Sequence, residues 1–216
     1  MLMQQQREEI AYYGRKMLHD GLTRNTGGYL SAYDREAKLI AVSPSGMPYD
    51  DIRPEDVVVV DLAGNVLEGT GRPSTEWLVP RTVFPVREDI DAIVHTHSTF
   101  ATVMSALRWE VPAANFTLAL AGGNVRCTEF YNYTSQALAD AILEKMEGRT
   151  AVLMGNHGLV GAGKSVKQAY TVAEEIEFCC EVYLRAKSAG GTVVPLSDAQ
   201  LVEMVQALGG YYHKKK

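Results

Sequence analysis

The stretch Asp91-Ala92-Ile93-Val94-His95-Thr96-His97 reads as a buried strand, and the rest of the chain is ordered around it. Ile93 and Val94 are β-branched, and the run is apolar until it meets the histidines. Side chains two apart on a strand share a face, so His95 and His97 point the same way. Thr99 to Leu107 follows as a helix. Upstream, Ile10, Tyr13, Met17 and Leu18 recur at helical spacing, and Gly21 ends that helix. Lys38 to Ser43 and Val57 to Leu62 are strand-like, with Ala63-Gly64-Asn65 as a hairpin turn. Ser74-Thr75-Glu76 resembles a helix start, which Pro80 breaks or delays.

Downstream, Thr134 to Met146 is expected to be a helix with Leu138, Ile142 and Met146 on one stripe. Thr150 to Met154 is a strand. Ser165-x-x-Gln168 is a capping box before a long helix with the inner face Ala169, Val172, Ala173, Ile176, Cys180 and Tyr183. Leu196 to Leu208 closes the chain as a helix. Strands and helices mix without strict βαβ alternation. The expectation is one α/β domain over residues 1–216, with a mixed or antiparallel sheet between helices.

Composition narrows the function classes. The chain has 216 residues, 46% hydrophobic and 22% charged, with a formal net charge of −5. That is a globular composition, and its acidic balance argues against a general nucleic-acid binder. The basic tail His213-Lys214-Lys215-Lys216 reads as a solvated terminus. No secretory leader is visible at Met1-Leu2-Met3-Gln4-Gln5-Gln6, and no apolar run is long enough to span a membrane. Three cysteines, Cys127, Cys179 and Cys180, make a poor disulfide framework. A cytoplasmic setting fits best.

Gly158-Leu159-Val160-Gly161-Ala162-Gly163-Lys164-Ser165 matches the phosphate-loop pattern at every fixed position. It is rejected here. Few residues follow it, and they read as helix. The apolar run ending in Asp61 lies far upstream, and Leu159-Val160 reads as a strand leaving His157. Ser165 is then a helix cap.

Of the five histidines, His19 reads as a partner of a helix C-terminus and His213 lies in the tail. His95 and His97 suit one metal ion. His157 sits in the turn Gly155-Asn156-His157-Gly158, where glycines let a ring approach closely. With Glu76 they make a reasonable set for zinc or a similar divalent ion.

At these residues the sequence resembles the class II aldolases of the L-fuculose-phosphate aldolase type, a superfamily that includes pentulose-phosphate epimerases. The markers run in order: Thr26-Gly27-Gly28, Ser43-Pro44-Ser45-Gly46, Pro73-Ser74-Thr75-Glu76, His95-Thr96-His97, Ala121-Gly122-Gly123 and Asn156-His157-Gly158. The resemblance implies a three-layer α/β/α sandwich around a mostly antiparallel sheet, assembled as a homotetramer with active sites at subunit interfaces. It implies one divalent ion per subunit, Zn2+ first and Mn2+ or Co2+ next, on Glu76, His95, His97 and His157. Glu76 doubles as acid and base. Substrate phosphate falls to Gly28, Tyr29, Ser45, Gly46, Ser74 and Thr75. The implied reaction is cleavage of a ketose 1-phosphate, such as L-fuculose 1-phosphate or a 5-deoxypentulose 1-phosphate, into dihydroxyacetone phosphate and lactaldehyde or acetaldehyde.

Two positions depart from that pattern. Tyr29 replaces an asparagine and is expected to narrow the pocket. Phe116 replaces a tyrosine donated by the neighbouring subunit, and Tyr211 or Tyr212 in the tail is expected to take over. The alternatives are a pentulose-phosphate 4-epimerase and a non-catalytic structural metal-binding protein.

Overall fold

The computed structural model describes the backbone of residues 1–213 and the side chains of residues 1–208. Seven strands form one sheet: β1 (Tyr29–Asp34), β2 (Leu39–Val42), β3 (Val58–Asp61), β4 (Val66–Glu68), β5 (Ala92–Thr96), β6 (Ala151–Met154) and β7 (Gly158–Gly163). Their order is β4-β3-β2-β1-β5-β7-β6, and every neighbouring pair is antiparallel. The strand that opened the sequence reading, β5, is central and wholly buried.

Helices α1 (Gln4–His19), α2 (Leu78–Val86), α3 (Thr99–Ala106), α4 (Gln136–Lys145), α5 (Val166–Ser188) and α6 (Asp198–His213) divide between the two faces. Strand alternation explains the division. Leu30, Ala32, Ala41, Val57, Val59, Ala92 and Val94 join a core with α1, α3, α5 and Leu201 of α6. Tyr29, Tyr33, Ile40, Val42, Val58, Val60 and Ile93 point the other way, into a second core with α2 and α4. Two apolar sheet faces demand two helical layers, which gives the expected α/β/α sandwich. Fully burying a side chain such as Ile93 stabilises the fold by roughly 1.5–3 kcal/mol.

Two strands escape the sequence reading. In β1, Leu30 and Ala32 face one core and Tyr29 and Tyr33 the other, so no polar alternation marks it. β4 is a three-residue edge with exposed Val66 and Leu67. The phosphate-loop match is a strand: Gly158–Gly163 is β7, and Ser165 caps α5 by accepting a hydrogen bond from Gln168 N–H. Lys164 Nζ reaches Asp91 Oδ2 at 2.7 Å and the Glu88 carbonyl at 2.6 Å. His19 does end α1, where its ring lies 2.8 Å from Asp50.

The segment Ser74-Thr75-Glu76 requires a correction. It is a turn, not the first turn of a helix: α2 begins at Leu78. Pro80 then lies in the first helical turn, where its missing N–H costs no intrahelical bond. The apolar run from Leu78 therefore carries the helix, and the residues before it are free to face the site.

Candidate metal centre and anion-binding cavity

The end of β5 and the β6–β7 turn bring three imidazoles together. His95 is fully buried, and His97 lies just past the strand end. Their Nε2 atoms are 3.0 Å apart. His157 rides on a three-residue hairpin loop, whose ends meet through the Met154 and Gly158 pairing. Asn156 holds a left-handed backbone there (φ 55°), a conformation asparagine tolerates better than most residues. Gly158 is required by close approach: a Cβ on it would stand 2.2 Å from the Thr96 carbonyl and 3.3 Å from both the His95 and His97 rings. Glu76 completes the group, with Oε2 3.6 Å from His95 Nε2 and Oε1 3.7 Å from His157 Nε2.

One ligand atom from each of Glu76, His95, His97 and His157 lies within 4.8 Å of all the others. The chemistry of these atoms fits a divalent cation. His95 Nδ1 is 2.9 Å from the Leu159 carbonyl, which can only accept, so Nδ1 carries the proton. The Nε2 lone pair is left aimed at the cluster, the tautomer a metal ligand needs. Glu76 Oε2 is buried without a hydrogen-bond partner, a costly arrangement in a protein interior unless a cation satisfies it.

Electrostatics agrees with this reading. Burial, then the neighbouring His97, hold His95 down at about 3. Burial, then His95, hold His157 at about 4, and burial also lowers His97. All three rings are therefore neutral and able to donate lone pairs near pH 7. Burial raises the Glu76 carboxyl above its ordinary value, against the pull of His157 and His97. A carboxylate poised this way is suited to exchange protons.

A cavity of about 260 Å³ opens beside Glu76, His97 and His157. Gly28, Ser45, Gly46, Ser74 and Thr75 line it, as does Thr26. Gly28 has φ 73°, and a Cβ there would be driven to 2.3 Å from the His95 carbonyl. The Ser45 and Ser74 loops are zipped by a Pro44–Pro73 bridge. Ser45 N–H donates to the Arg72 carbonyl and Ser74 N–H to the Ser43 carbonyl. Those two amides brace the wall, and Ser74 Oγ accepts from Glu76 N–H at 3.3 Å.

Tyr29 is the expected residue that the structure does not bring to the cavity. Its position in β1 pairs with His95, and its ring lies 5.4 Å from the His95 ring with the side chain fully buried. It packs beside His95 within the core and does not line the cavity. Phe116 is exposed in a short 3-10 segment, Phe116–Ala121, away from the cavity lining. Tyr211 and Tyr212 fall in α6, with side chains outside the described residues. Tyr133, half-exposed, lines the cavity and was missed from sequence. It lies in a polar connection with no periodicity to signal an inward face.

Comparison with known proteins agrees with this geometry. Residues 8–184 match the family described as Class II Aldolase and Adducin N-terminal domain. The chain belongs to that family and is by class a class II aldolase, a carbon–carbon lyase. It is similar to 5-deoxy-D-ribulose 1-phosphate aldolase of Bacillus thuringiensis serovar kurstaki, 45% identical over 98% of this chain and 99% of that protein. It is also similar to L-fuculose phosphate aldolase of Escherichia coli K12, 28% identical over 91% of this chain and 90% of that one. A solved structure of an L-fuculose 1-phosphate aldolase superposes with a TM-score of 0.93 at 39% identity, covering 97% of this chain and 98% of its own.

Proposed function

We propose that this chain, acting as one domain over residues 1–216, reversibly cleaves a ketose 1-phosphate into dihydroxyacetone phosphate and a short aldehyde. The observation that carries the reading is the Glu76, His95, His97 and His157 cluster beside a hydroxyl-lined cavity. The 45% identical relative favours a 5-deoxypentulose 1-phosphate yielding acetaldehyde over L-fuculose 1-phosphate yielding lactaldehyde.

The three histidines and Glu76 would hold one divalent ion, Zn2+ first, with Mn2+ and Co2+ as alternatives. When bound, it supplies Lewis-acid stabilisation of negative charge developing on the ketone side as the C3–C4 bond breaks. His95 is locked for that task by Leu159. Glu76 moves the proton at C3, for which burial has raised its carboxyl. Ser45, Ser74 and Thr75 orient the phosphate together with Gly28 and Gly46, and the tail tyrosines Tyr211 and Tyr212 serve as further proton carriers. Binding the phosphate away from the breaking bond holds that bond over the metal centre.

A homotetramer with sites at subunit interfaces fits the exposed apolar side chains Val103, Leu107, Phe116 and Phe178. A cytoplasmic location fits three unpaired cysteines. No helix among the described residues is long and apolar enough to cross a membrane, and the net charge of −5 gives no support to a nucleic-acid partner. The test is a panel of ketose phosphates with coupled detection of dihydroxyacetone phosphate, in zinc, manganese and cobalt. The expected result is dihydroxyacetone phosphate released fastest from the 5-deoxypentulose 1-phosphate. An isomeric sugar phosphate with no three-carbon product would identify an epimerase instead.

A further inference from the structure

We infer that Tyr133 is a catalytic residue whose phenol hands a proton to, and takes it from, the C4 oxygen of the sugar phosphate. This rests on the aldolase reading above and adds the partner that Glu76 needs at the other end of the breaking bond. In the strand order β2-β1-β5-β7-β6, Gly28 precedes β1 and Ser45 and Gly46 follow β2, on one side of His95 and His97. The Pro44–Pro73 bridge fastens Ser74 and Thr75 to that same side. His157 stands on the opposite side, in the β6–β7 turn. Tyr133 lines the cavity from the segment before α4, whose Leu138 and Ile142 share a core with Val79 and Val83 of α2 and with Val152 and Met154 of β6. With the phosphate of a ketose 1-phosphate assigned to the hydroxyl wall and its C2 and C3 oxygens to the histidines, Tyr133 is the phenol in the cavity lining left to meet the C4 oxygen.

The segment is braced on both sides of Tyr133. Asn132 Oδ1 accepts from Thr134 N–H at 3.0 Å and from the Thr134 hydroxyl at 2.8 Å. The Asn132 carbonyl accepts from Ser135 N–H at 3.0 Å and from the Ser135 hydroxyl at 2.7 Å. Ser135 Oγ in turn caps α4 through Leu138 N–H. Tyr133 is thus held between two residues tied into one turn, with its ring half-exposed and open to a ligand.

The proton balance closes. In condensation, Glu76 removes the C3 proton and the new bond forms between C3 and the aldehyde carbon. The aldehyde C=O electron pair moves onto oxygen, which takes the Tyr133 proton and becomes the C4 hydroxyl. Glu76 releases its proton to solvent and Tyr133 regains one, so none is consumed. Cleavage is the reverse.

The test compares Tyr133→Phe, Tyr133→Ala, Tyr211→Phe and Tyr212→Phe in the metal-loaded enzyme. Tyr133→Phe should lower cleavage turnover by about 10²–10⁴-fold, the range for loss of a general acid–base group. Solvent exchange of the C3 proton of dihydroxyacetone phosphate, a half-reaction that needs Glu76 but no aldehyde, should continue at the wild-type rate. Wild-type turnover in Tyr133→Phe overturns the proposal. So does a loss seen only in Tyr133→Ala, which would make the ring an apolar wall, or a loss confined to the tail variants. A parallel fall of exchange and cleavage would place Tyr133 on the Glu76 side and also overturns it. Wild-type enzyme that releases no dihydroxyacetone phosphate defeats the aldolase reading itself, before any variant is made.

Discussion

Removing the metal should turn the site into an acid-sensitive fault in the fold. In the unfolded chain a histidine takes a proton near 6.5, whereas in the folded chain His95 resists it down to about 3 and His157 down to about 4. The unfolded state therefore binds more protons over that window, so stability falls as pH drops below 6.5 and is fully present above it. At pH 5, linkage with these values gives a loss of about 2 kcal/mol from His95 alone and up to twice that with His157. Glu76 works the other way, because its raised carboxyl takes up a proton more readily in the fold. Its effect lies at the acidic end of the window. The lowered carboxyls of Asp20 and Asp56 contribute only below their ordinary value of 3.8. Against a typical total of about 5–15 kcal/mol, the histidine loss is large. The assay is urea unfolding of chelator-treated protein at fixed concentration, from pH 8 to 4.5. Stability should be flat to about pH 6.5 and then decline by at least 1 kcal/mol per unit. Unchanged stability between pH 7.5 and 5 would refute the claim that these imidazoles are buried and neutral.

Elemental analysis of chelator-free protein should find about one divalent ion per chain, with activity lost on chelation and much of the fold retained. Metallated Glu76→Gln should lose about 10²–10⁴-fold in turnover, with C3 proton exchange falling in parallel, and metal content measured beside the rates. Ser74→Ala combined with Thr75→Ala should raise KM for phosphorylated substrates much more than for unphosphorylated analogues, and equal losses would reduce the pair to braces of the turn. Gly158→Ala places a Cβ 2.2 Å from the Thr96 carbonyl, so β5 and β7 must part beside both histidines. It should destabilise by about 1–3 kcal/mol and weaken metal uptake, read by thermal unfolding and metal titration.

Local pattern was enough for much of this protein. The period of two in His95-Thr96-His97 placed two imidazoles on one face, because strand pleating allows nothing else. The glycines beside His157 announced a close approach, and Ser165 with Gln168 announced the start of α5. The family resemblance pointed to the same set of Glu76, His95, His97 and His157 that these local rules had already suggested. Other features belong to contacts between distant segments. Tyr29 and an asparagine occupy the same place in a linear pattern, and only the pairing of β1 with β5 sends the phenol into the core behind His95. The strand β1 itself has no polar alternation, because helices cover both of its faces. Tyr133 sits in a polar connection whose spacing carries no direction, and it reaches the cavity because α4 packs against α2 and β6. The orphaned Glu76 oxygen and the depressed histidines are likewise tertiary facts. Sequence determines which donors are present and how near neighbours share a face. Burial and long-range pairing decide which lone pairs lose water, and that loss of solvation makes this group of side chains a candidate cation site.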